Sequence, residues 1–264
     1  MAEKLKRTGT QSIERAVAIL KALSLRGSLG WRLVDLANHC SMDRGTTHRI
    51  LSSLSRERLV RQRVGDRRYV LGTLLFELGL SQSELIEFLA LCNNPLSRIS
   101  KRFNGMTMLF LLSGNEFVCA LKLGQMTIKA LTIEVGTRRP LIVSAGGVAM
   151  LVAMPKPLSE LILKENLKDV SRFSDTRITA LKKMLKRSED KGYGISLSDV
   201  VPGVSAFGIA IKNDSGHPFA SICFVCPESH LSSSVTVDLV AAIESESRWI
   251  AREANKISSI HNVF

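Results

Sequence analysis

The sequence has no long hydrophobic run. Its longest nearly apolar stretch, residues 141–154, is 14 residues long and is interrupted by Ser144, Gly146 and Gly147. A helix that crosses a bilayer needs roughly 20 apolar residues, so this stretch is too short. The first ten residues, MAEKLKRTGT, contain no apolar core of the kind found in a signal peptide. We therefore expect no membrane partner and a cytoplasmic location.

The sequence also lacks paired cysteines. Its five cysteines are scattered, and only Cys223 and Cys226, in CFVC, are close together; the others are Cys40, Cys92 and Cys119. With no second pair and no histidine at ligand spacing, we expect no zinc or other metal site. Positions i and i+3 of a strand point to opposite faces, so the two close thiols should diverge as buried, inert groups. A redox sensor that uses Cys223 or Cys226 remains an alternative.

Catalytic signatures are absent as well. The sequence contains no nucleophile elbow, no P-loop, no His-Glu-x-x-His motif and no dinucleotide-binding fingerprint. Adjacent carboxylates such as Glu189 and Asp190 lie in runs typical of a solvated helix surface. We therefore predict that the protein is not an enzyme and needs no cofactor.

Positive charge is plentiful but unevenly distributed. Residues 1–71 contain 15 basic and 6 acidic side chains, a net charge of +9, which leaves +3 of the total +12 for the other 193 residues. A basic module joined to a nearly neutral one predicts a nucleic-acid partner and binding that weakens with salt.

The basic module contains a helix-turn-helix pattern over residues 33–59. Apolar residues at helical spacing predict a first helix over 33–40, and a polar break follows. Asp43 is a candidate N-cap for a second helix over 44–56, because its carboxylate can accept a free backbone N–H of the first turn.

The second helix has one apolar and one polar face. Its apolar side comprises Thr47, Ile50, Leu51 and Leu54, and its polar side comprises Gly45, Thr46, Arg49, Ser52, Ser53 and Arg56. Arginine, serine and threonine are the groups that read base edges and phosphates in the major groove. An ordinary surface helix has a similar pattern, so the helix alone does not decide the function.

The next segment, residues 60–72, favours DNA binding. Two short strand-like pieces flank a Val-Gly-Asp turn, and the segment carries four arginines, Arg61, Arg63, Arg67 and Arg68. Such a basic hairpin is typical of a wing whose tip lies along the phosphate backbone. A preceding helix over 10–23 would pack behind the pair through Ile13, Val17, Leu20 and Leu23.

The remaining chain alternates helical and strand-like segments. Residues 72–103 are predicted to be helical with breaks near Gly79 and at residues 93–95, and the apolar part of this segment suggests a dimer contact. Strands are predicted over 107–112, 117–123, 127–135, 204–212 and 218–226, and helices over 145–154, 159–167, 178–191 and 235–257. The first of these helices should end at Pro155 and Pro157. This half is therefore predicted to be α+β with an antiparallel sheet.

From residue 10 to residue 256, the sequence resembles the IclR family of bacterial transcription regulators. The resemblance rests on TQSIERAVAIL, LVDLANHCSMDRGTTHRILSSL, RYVLG and LLFELG, followed by VGTRRPL, FSDTRITAL, KGYGIS and PGVSAFGIAI. It implies a winged helix-turn-helix domain (10–71), a helical linker with a dimer contact (72–92) and a GAF-like effector-binding domain (93–258). It further implies homodimers or dimers of dimers that bind pseudo-palindromic operators in double-stranded DNA, often of catabolic operons.

The resemblance also implies where DNA is contacted. The implied contacts are Arg44, Gly45, Thr46, Thr47, His48 and Arg49 in the second helix and Arg63, Arg67 and Arg68 in the wing. Thr47 conflicts with the assignment of helix faces, which buries it. His48 lies on the flank of the helix, where a phosphate contact and a solvated side chain are equally compatible with the pattern.

The effector pocket departs from the family pattern. The implied positions are Leu141, Ile142, Ser144, Ala145, Gly146, Ser196, Ala206, Phe207, Cys223 and Val225. Ile142 stands where the family often has histidine, and several other positions are apolar, so we expect an aromatic or otherwise apolar small-molecule effector with at most one polar head. Backbone N–H groups at the start of the 145–154 helix could bind that head. The alternative is a vestigial pocket in which Ile142, Ala206 and Val225 are ordinary core residues.

A non-specific architectural DNA-binding protein is a further alternative. Its function would not need the large apolar second domain, so we favour the ligand-responsive regulator.

Overall fold

The structure is a computed structural model that describes residues 10–126 and 133–257. The chain divides into two compact units between Gln82 and Ser83. The first unit is helical with one two-stranded hairpin, and the second contains a six-stranded antiparallel sheet and helices. The predicted α+β class is confirmed.

The first unit is built around three helices and the hairpin. Its elements are α1 (Gln11–Arg26), α2 (Leu33–His39), α3 (Arg44–Arg56), β1 (Val60–Gln62), β2 (Tyr69–Leu71) and α4 (Thr73–Gly79). Ile19, Leu23, Leu36 and Leu51 are fully buried in its core. The helix-turn-helix pair and the hairpin thus form where the sequence predicts them.

The buried side of α1 differs from the prediction. Ile13 and Val17 are 65% and 43% exposed, whereas Ile19 and Ala22 are buried together with Leu23. At 100° per residue, the buried arc is rotated away from the stripe chosen on hydrophobicity alone. The small Ala22 fits there because the indole of Trp31 donates to its backbone oxygen at 2.8 Å, which brings the chain close.

The second unit is one sheet with helices on both faces. Its elements are α5 (Ser83–Arg102), β3 (Met106–Ser113), β4 (Glu116–Leu123), β5 (Arg138–Pro140), α6 (Ala145–Ala153), α7 (Lys156–Asp169), α8 (Asp175–Lys191), β6 (Gly194–Leu197), β7 (Val204–Lys212), β8 (Pro218–Pro227) and α9 (Ser233–Ala254). The strand order is β5-β4-β3-β8-β7-β6, and every neighbouring pair is antiparallel.

The sheet separates two hydrophobic cores. On one face, α5 and α9 pack against residues such as Phe207 and Phe224. On the other face, α6 and α8 pack against residues such as Phe110 and Cys223. Alternation along each strand assigns neighbouring residues to opposite cores, and this assignment decides which of them can reach a ligand between α6 and the sheet.

Two predictions about elements were wrong. No break occurs at residues 93–95, because α5 runs through Pro95 to Arg102. The buried stripe of Phe88, Cys92, Leu96 and Ile99 continues on both sides of the proline, so packing of this face outweighs the lost backbone hydrogen bond.

Pro157 begins a helix instead of ending one. It lies in the first turn of α7, where a backbone N–H has no helical partner in any case. Strands β5 and β6 were not predicted, because each has only three or four residues. Most of the predicted strand over 127–135 lies outside the described residues, and residues 133–135 are not in a strand.

The apolar residues predicted to form a dimer contact in the linker do not share one environment. Phe88 is fully buried in the core of the second unit, and Leu85 and Leu89 pack against the same core. Leu78, on α4, is instead 55% exposed; Phe76, which was not among the predicted residues, is 69% exposed on the same helix. Residues 83–92 therefore belong to the second unit. The exposed side chains on α4, with Ile86 on α5, remain available for a contact between protomers.

Candidate DNA-binding face and ligand cavity

Asp43 caps the N-terminus of α3 as predicted. Its Oδ1 accepts a hydrogen bond from the Thr46 N–H at 2.8 Å. Hydrogen bonds from Thr46, together with the charge of Arg49, lower the pKa of Asp43 below its usual value. The carboxylate therefore stays ionised at neutral pH and satisfies a free donor of the first turn.

The outward face of α3 is exposed and basic. Arg44, Gly45, His48 and Arg49 are exposed, and Thr46 is half-buried. The Arg49 guanidinium donates to Thr46 Oγ1 at 3.2 Å, which holds the arginine along the helix. Ser52, Ser53 and Arg56 extend the same exposed face toward the C-terminus. This arrangement presents the groups that read a major groove on one side of a single rigid helix.

Thr47 is not part of this face. It is fully buried, and its hydroxyl donates to the backbone oxygen of Asp43 at 2.9 Å. The face assignment from the sequence is therefore correct, and the contact implied by the family resemblance is wrong for the described conformation. The hydroxyl is used inside the domain, one helical turn back along the chain.

The wing arginines fall into two pairs. Arg63 donates to the backbone oxygens of Ser28 and Leu29 at 2.6 and 3.0 Å and pairs with Asp66 at 2.5 Å. Arg68 also reaches Leu29 O, at 3.4 Å. These two side chains hold the hairpin to the short turn that follows α1, and most of their hydrogen-bonding capacity is used there.

Arg61 and Arg67 are exposed on the hairpin, and Val64 at its tip is 99% exposed. Arg67 thus matches the predicted role of a phosphate contact better than Arg63 or Arg68. Arg61, which the family resemblance did not imply as a contact, is equally accessible.

Sequence reasoning missed a contribution from α1. A groove of about 410 Å³ lies between α1 and α3, and Ser12 and Arg15 line it together with Thr46, Arg49 and Ser53. Arg15 extends the basic face beyond α3. The motif TQSIERAV contains this arginine, but only the packing of α1 beside α3 brings it next to Arg49.

The second unit contains a small cavity between α6 and the sheet. Its volume is about 30 Å³, enough for one or two water molecules. Six of the ten predicted pocket residues line it: Ser144, Ala145, Ser196, Ala206, Cys223 and Val225. They come from α6 and from strands β6, β7 and β8, so the fold brings together residues that are up to 81 positions apart in the sequence.

The other four predicted pocket residues do not line the cavity. Phe207 is fully buried in the core on the opposite face of the sheet, because its neighbour Ala206 occupies the cavity face. Gly146 packs against Phe110 and Cys223, where a Cβ would approach ring and side-chain atoms within 2.6–2.8 Å.

Leu141 and Ile142 are fully buried core residues beside the cavity. The Ile142 N–H donates to Oδ1 of Asn166 at 3.1 Å, and Nδ2 of Asn166 donates to Asn115 O at 2.7 Å. Asn166 is fully buried, so it anchors the segment before α6. Sequence reasoning did not identify this residue, since a lone asparagine on an amphipathic helix carries no signal.

Residues of the loop that follows β6 cover the cavity. Val200 and Val201 line it, as do Met108, Val143 and Val204. Asp199 holds the loop to α8 through an ion pair with Arg187 and accepts from the Leu197 N–H at 2.8 Å. Ser198 Oγ donates to Glu228 at 2.7 Å. None of these positions was predicted from the sequence to line a site.

The polar groups at the cavity are few. The backbone N–H of Gly146 and the hydroxyl of Ser144 both hydrogen-bond to the Cys223 thiol, and burial raises the pKa of Cys223 to about 11. Of the expected backbone donors at the start of α6, the Gly146 N–H is therefore already engaged. A buried polar head needs such donors, because an unpaired polar group is costly to bury.

The two close cysteines lie on opposite faces of β8. Cys223 belongs to the core beside α6, and Cys226 belongs to the core beside α5 and α9. Burial raises the pKa of Cys226 to about 11 as well. Two buried, protonated and divergent thiols are poor redox sensors, since the thiolate is the reactive form.

Within residues 10–126 and 133–257, no cluster of three or more His, Cys, Asp or Glu side chains could hold a metal ion. Over the same residues, no helix is long and apolar enough to cross a membrane.

Comparison with known proteins agrees with this geometry. Residues 12–64 match the IclR helix-turn-helix domain, and residues 82–252 match the bacterial transcriptional regulator IclR C-terminal domain. The HTH-type transcriptional repressor AllR of Escherichia coli K12 is 26% identical over 255 residues, covering 95% of this chain and 92% of AllR. AllR of Klebsiella pneumoniae is 28% identical over 233 residues, which are 85% of this chain and 82% of its own.

Solved structures share the fold. An IclR transcriptional regulator from Alicyclobacillus acidocaldarius superposes with a TM-score of 0.72 at 22% identity, over 92% of this chain and 98% of its own. An IclR homolog from Microbacterium hydrocarbonoxydans, crystallised with 4-hydroxybenzoate, gives a TM-score of 0.71 at 19% identity, over 93% and 100% of the two chains.

Proposed function

Because the chain belongs to the IclR family of transcriptional regulators, we propose that it binds a pseudo-palindromic operator in the cytoplasm and releases it in response to a small-molecule effector. It is a DNA-binding regulator and not an enzyme, as the family shows. The observation that carries the proposal is the exposed basic face of α3 beside the wing. The two AllR relatives named above are repressors, which supports repression as the mode of action.

We assign the DNA contacts to helix α3, to the wing and to the start of helix α1. The face comprises Arg44, Gly45, Thr46, His48 and Arg49 on α3, with Arg67 and Arg61 on the wing and Ser12 and Arg15 on α1. Arg63 and Arg68 position the wing. Base-edge contacts come from the start of α3, and the flanking arginines bind phosphates, which fix the register of the protein on the duplex.

We propose that the effector is an aromatic or otherwise apolar molecule with one polar head. The lining of the cavity supports this, because it is apolar except for Ser144, Ser196 and Cys223. The structural relative that was crystallised with 4-hydroxybenzoate supports the same ligand class. A regulator of this kind would control an operon for the breakdown of such a compound.

The cavity must open before such a ligand can bind. A volume of about 30 Å³ cannot hold a benzene ring, whereas small-molecule sites enclose roughly 300–1,000 Å³. The loop carrying Val200 and Val201 connects β6 to β7 and belongs to neither strand. Displacement of this loop would enlarge the cavity while leaving the sheet intact.

Regulation then follows from unequal affinity for two conformations. A ligand that binds the open second unit better than the closed one shifts the population toward the open form, and only by that difference in affinity. In a dimer or dimer of dimers, recognition helices must lie about one helical turn, ~34 Å, apart to read two half-sites. A modest change at the segment between the two units would therefore cost much of the operator affinity.

The test is binding of the full-length protein to its own upstream intergenic DNA at two salt concentrations. We expect a limited footprint that Arg49→Ala abolishes. The charge-matched control Lys183→Ala, an exposed change on α8, should leave the footprint unchanged. Weak binding that spreads over any DNA and ignores Arg49 would refute operator recognition in favour of a non-specific architectural protein.

The effector is tested separately with 4-hydroxybenzoate. Calorimetry should show saturable binding to the wild type and none to Ala206→Leu, which fills the cavity. Absence of binding in the wild type would favour a vestigial pocket and would leave the DNA-binding result unaffected.

A further inference from the structure

A second concave surface lies at the other end of α6. A groove of about 310 Å³ is bounded by α6, by the end of β7 and by α9. Ala149, Ala153 and Ala251 form an apolar floor, and Ile209 and Ala210 form one wall. The volume falls at the lower end of the roughly 300–1,000 Å³ of small-molecule sites, so this groove is already ligand-sized, unlike the cavity.

The wall of the groove is an open edge of the sheet. Pairing between β6 and β7 ends at Gly194 and Gly208, whereas β7 continues to Lys212. In the described part of the chain, no strand pairs with this side of residues 209–212. Alternate main-chain groups of this segment therefore point toward the groove and can hydrogen-bond to a ligand.

A buried hydroxyl without a partner lines the same groove. Ser247 on α9 is only 4% exposed, and its Oγ has no hydrogen-bond partner in the described structure. Buried polar groups in folded proteins are nearly always hydrogen-bonded, so each exception requires an explanation. Thr107, Ser205 and Ser221 also lack partners, but these three side chains lie within the sheet and line neither the groove nor the cavity. Ser247 is the one whose missing partner could be supplied by a ligand in this groove.

The rim of the groove is positively charged. Lys212 and Arg248 stand on it with a single carboxylate, Glu244. Arg248 and Glu244 are 3.7 Å apart and their side chains are 70% and 43% exposed, so their pairing is weak. Lys212 has no ion pair among the described residues. Burial, followed by the charge of Glu244, raises the pKa of Tyr193 beside them, so its phenol remains a neutral donor.

We propose that this groove is a second ligand site, which binds a small monocarboxylate with a short apolar body. The apolar body packs on the alanine floor, Lys212 and Arg248 attract the carboxylate, and the Ser247 hydroxyl donates to it. A charge-assisted hydrogen bond of this type is about twice as strong as a neutral one. The site is separate from the effector cavity and does not depend on the effector assignment.

The two sites can be separated by one pair of variants on the same strand. Ala206 and Ala210 both lie on the α6 side of β7, but Ala206 lines the cavity and Ala210 lines the groove. Hexanoate is the probe, and hexanamide is its uncharged control. Binding is measured by titration calorimetry of the full-length protein, with the oligomeric state followed by sedimentation.

We expect saturable binding of hexanoate, and about tenfold or greater weakening of it with hexanamide. Ala210→Leu should abolish binding of hexanoate, whereas Ala206→Leu should leave it within about twofold of the wild type. Arg248→Gln, an exposed change that keeps the fold, should weaken binding by about tenfold or more. Lys183→Gln on α8 removes a charge elsewhere and should have no effect.

Ser247→Ala distinguishes a ligand contact from a structural role. We expect affinity for hexanoate to fall by about fivefold while the Tm of the free protein stays the same or rises, because the variant removes an unsatisfied buried hydroxyl. A lower Tm with unchanged affinity would assign Ser247 to the fold.

Four results would each overturn the proposal. The first is that hexanoate gives no saturable heat, and the second is that hexanamide binds as tightly as hexanoate. The third is that Ala206→Leu loses hexanoate binding while Ala210→Leu keeps it. The fourth is that Ala210→Leu changes the oligomeric state but binds hexanoate with unchanged affinity. The third would place the probe in the cavity, and the fourth would make the groove an interface between copies of the chain.

Discussion

Neighbouring side chains of the same type have different environments in this protein. Thr46 lies at the exposed start of α3, whereas Thr47 is fully buried and bonded to Asp43 O. Cys223 and Cys226 lie in different cores on opposite faces of β8. At the scale of a residue, function therefore depends on which face of its helix or strand a side chain occupies as much as on its chemical type.

The two threonines predict opposite effects on DNA binding. Thr47→Val keeps the shape of the side chain and loses one internal hydrogen bond, at a cost of about 1 kcal/mol in stability. We expect operator affinity, measured by fluorescence anisotropy, to be unchanged in this variant. Thr46→Val should instead weaken operator binding several-fold while the Tm changes little. The reverse pattern would restore Thr47 as a DNA contact.

The buried cysteines predict a pH-dependent reactivity. Because burial raises the pKa of Cys223 and Cys226 to about 11, both remain thiols at neutral pH. Alkylation of the native protein by iodoacetamide should be slow at these residues near neutral pH and should keep accelerating up to about pH 11. Mass spectrometry of each cysteine measures this. Rapid modification of Cys223 at neutral pH, with loss of DNA binding, would support redox sensing instead.

The double variant Cys223→Ala, Cys226→Ala provides the matching functional control. If the regulator responds to a ligand, this variant should retain nearly all of its operator affinity. Oxidants should leave the operator affinity of both the wild type and the variant unchanged. Disappearance of a response to peroxide in this variant would contradict the ligand mechanism.

At the scale of an element, the wing combines attachment with DNA contact. Arg63 holds the hairpin through two backbone oxygens, and Arg67 on the same hairpin is exposed. Each phosphate contact contributes about 0.9 to the slope of log Kobs against log salt concentration. Variants of Arg63 and Arg67 should therefore differ in how strongly their affinity for DNA depends on salt concentration.

We expect Arg67→Ala to reduce the magnitude of this slope by about 0.9, as the loss of one phosphate contact requires. Arg63→Ala should weaken binding without lowering the slope, because it loosens the hairpin while removing no phosphate contact. Operator titrations over a series of salt concentrations measure both. An equal fall in slope for the two variants would make Arg63 a direct contact.

The close packing of α6 against the sheet is a second feature at the scale of an element. A Cβ on Gly208 would lie 2.4 Å from the backbone oxygen of Ala145, and one on Gly194 would lie 1.9 Å from the same atom. These two glycines allow the start of α6 to approach β6 and β7, and the cavity forms beside that contact.

Gly208→Ala should lower stability by about 1–3 kcal/mol, because the added methyl group forces α6 away from the sheet. Gly79→Ala is the control, since a Cβ there meets nothing within 4 Å. Thermal unfolding of the full chain measures both. A Gly208→Ala protein as stable as the wild type would show that α6 shifts without cost.

At the scale of the whole molecule, assembly rests on apolar residues that the fold leaves exposed. Phe76, Leu78 and Leu80 are 69%, 55% and 55% exposed on and just after α4. Phe76 and Leu80 are four positions apart and share a helical face, and exposed apolar groups that lie together commonly mark contacts between proteins. This cluster is the part of the predicted dimer contact that the core of the second unit does not absorb.

Phe76→Glu should shift the protein toward monomers and lower operator affinity by about tenfold or more, because two half-sites can no longer be bound together. Sedimentation velocity and anisotropy measure the two effects. Leu161→Glu is the matched control, since Leu161 is 60% exposed on α7, far from α4 in the sequence. Persistence of the native oligomer in Phe76→Glu would assign the contact to another surface.

Local patterns predicted the parts of the fold that local physics controls. The cap at Asp43, the faces of α3, the basic hairpin and the main strands follow from spacing and residue type, because a helix or hairpin imposes a fixed period on its own sequence. The family motifs added six of the residues that line the cavity.

Longer-range features could not be predicted in this way. Pro95 lies inside a helix because a buried stripe extends on both sides of it, and Arg15 joins the basic face because α1 packs beside α3. Val200 and Val201 cover the cavity because an ion pair between Arg187 and Asp199 holds their loop to α8.

By itself, then, the sequence determined that this protein has a basic DNA-reading module and a larger apolar α+β module, since charge and periodicity are properties of the chain. Only the tertiary structure decided that Phe207 faces away from the cavity, that Arg63 supports the wing and that Ser247 lines a groove. Those outcomes depend on which surfaces meet across the sheet, and packing between distant segments settles them.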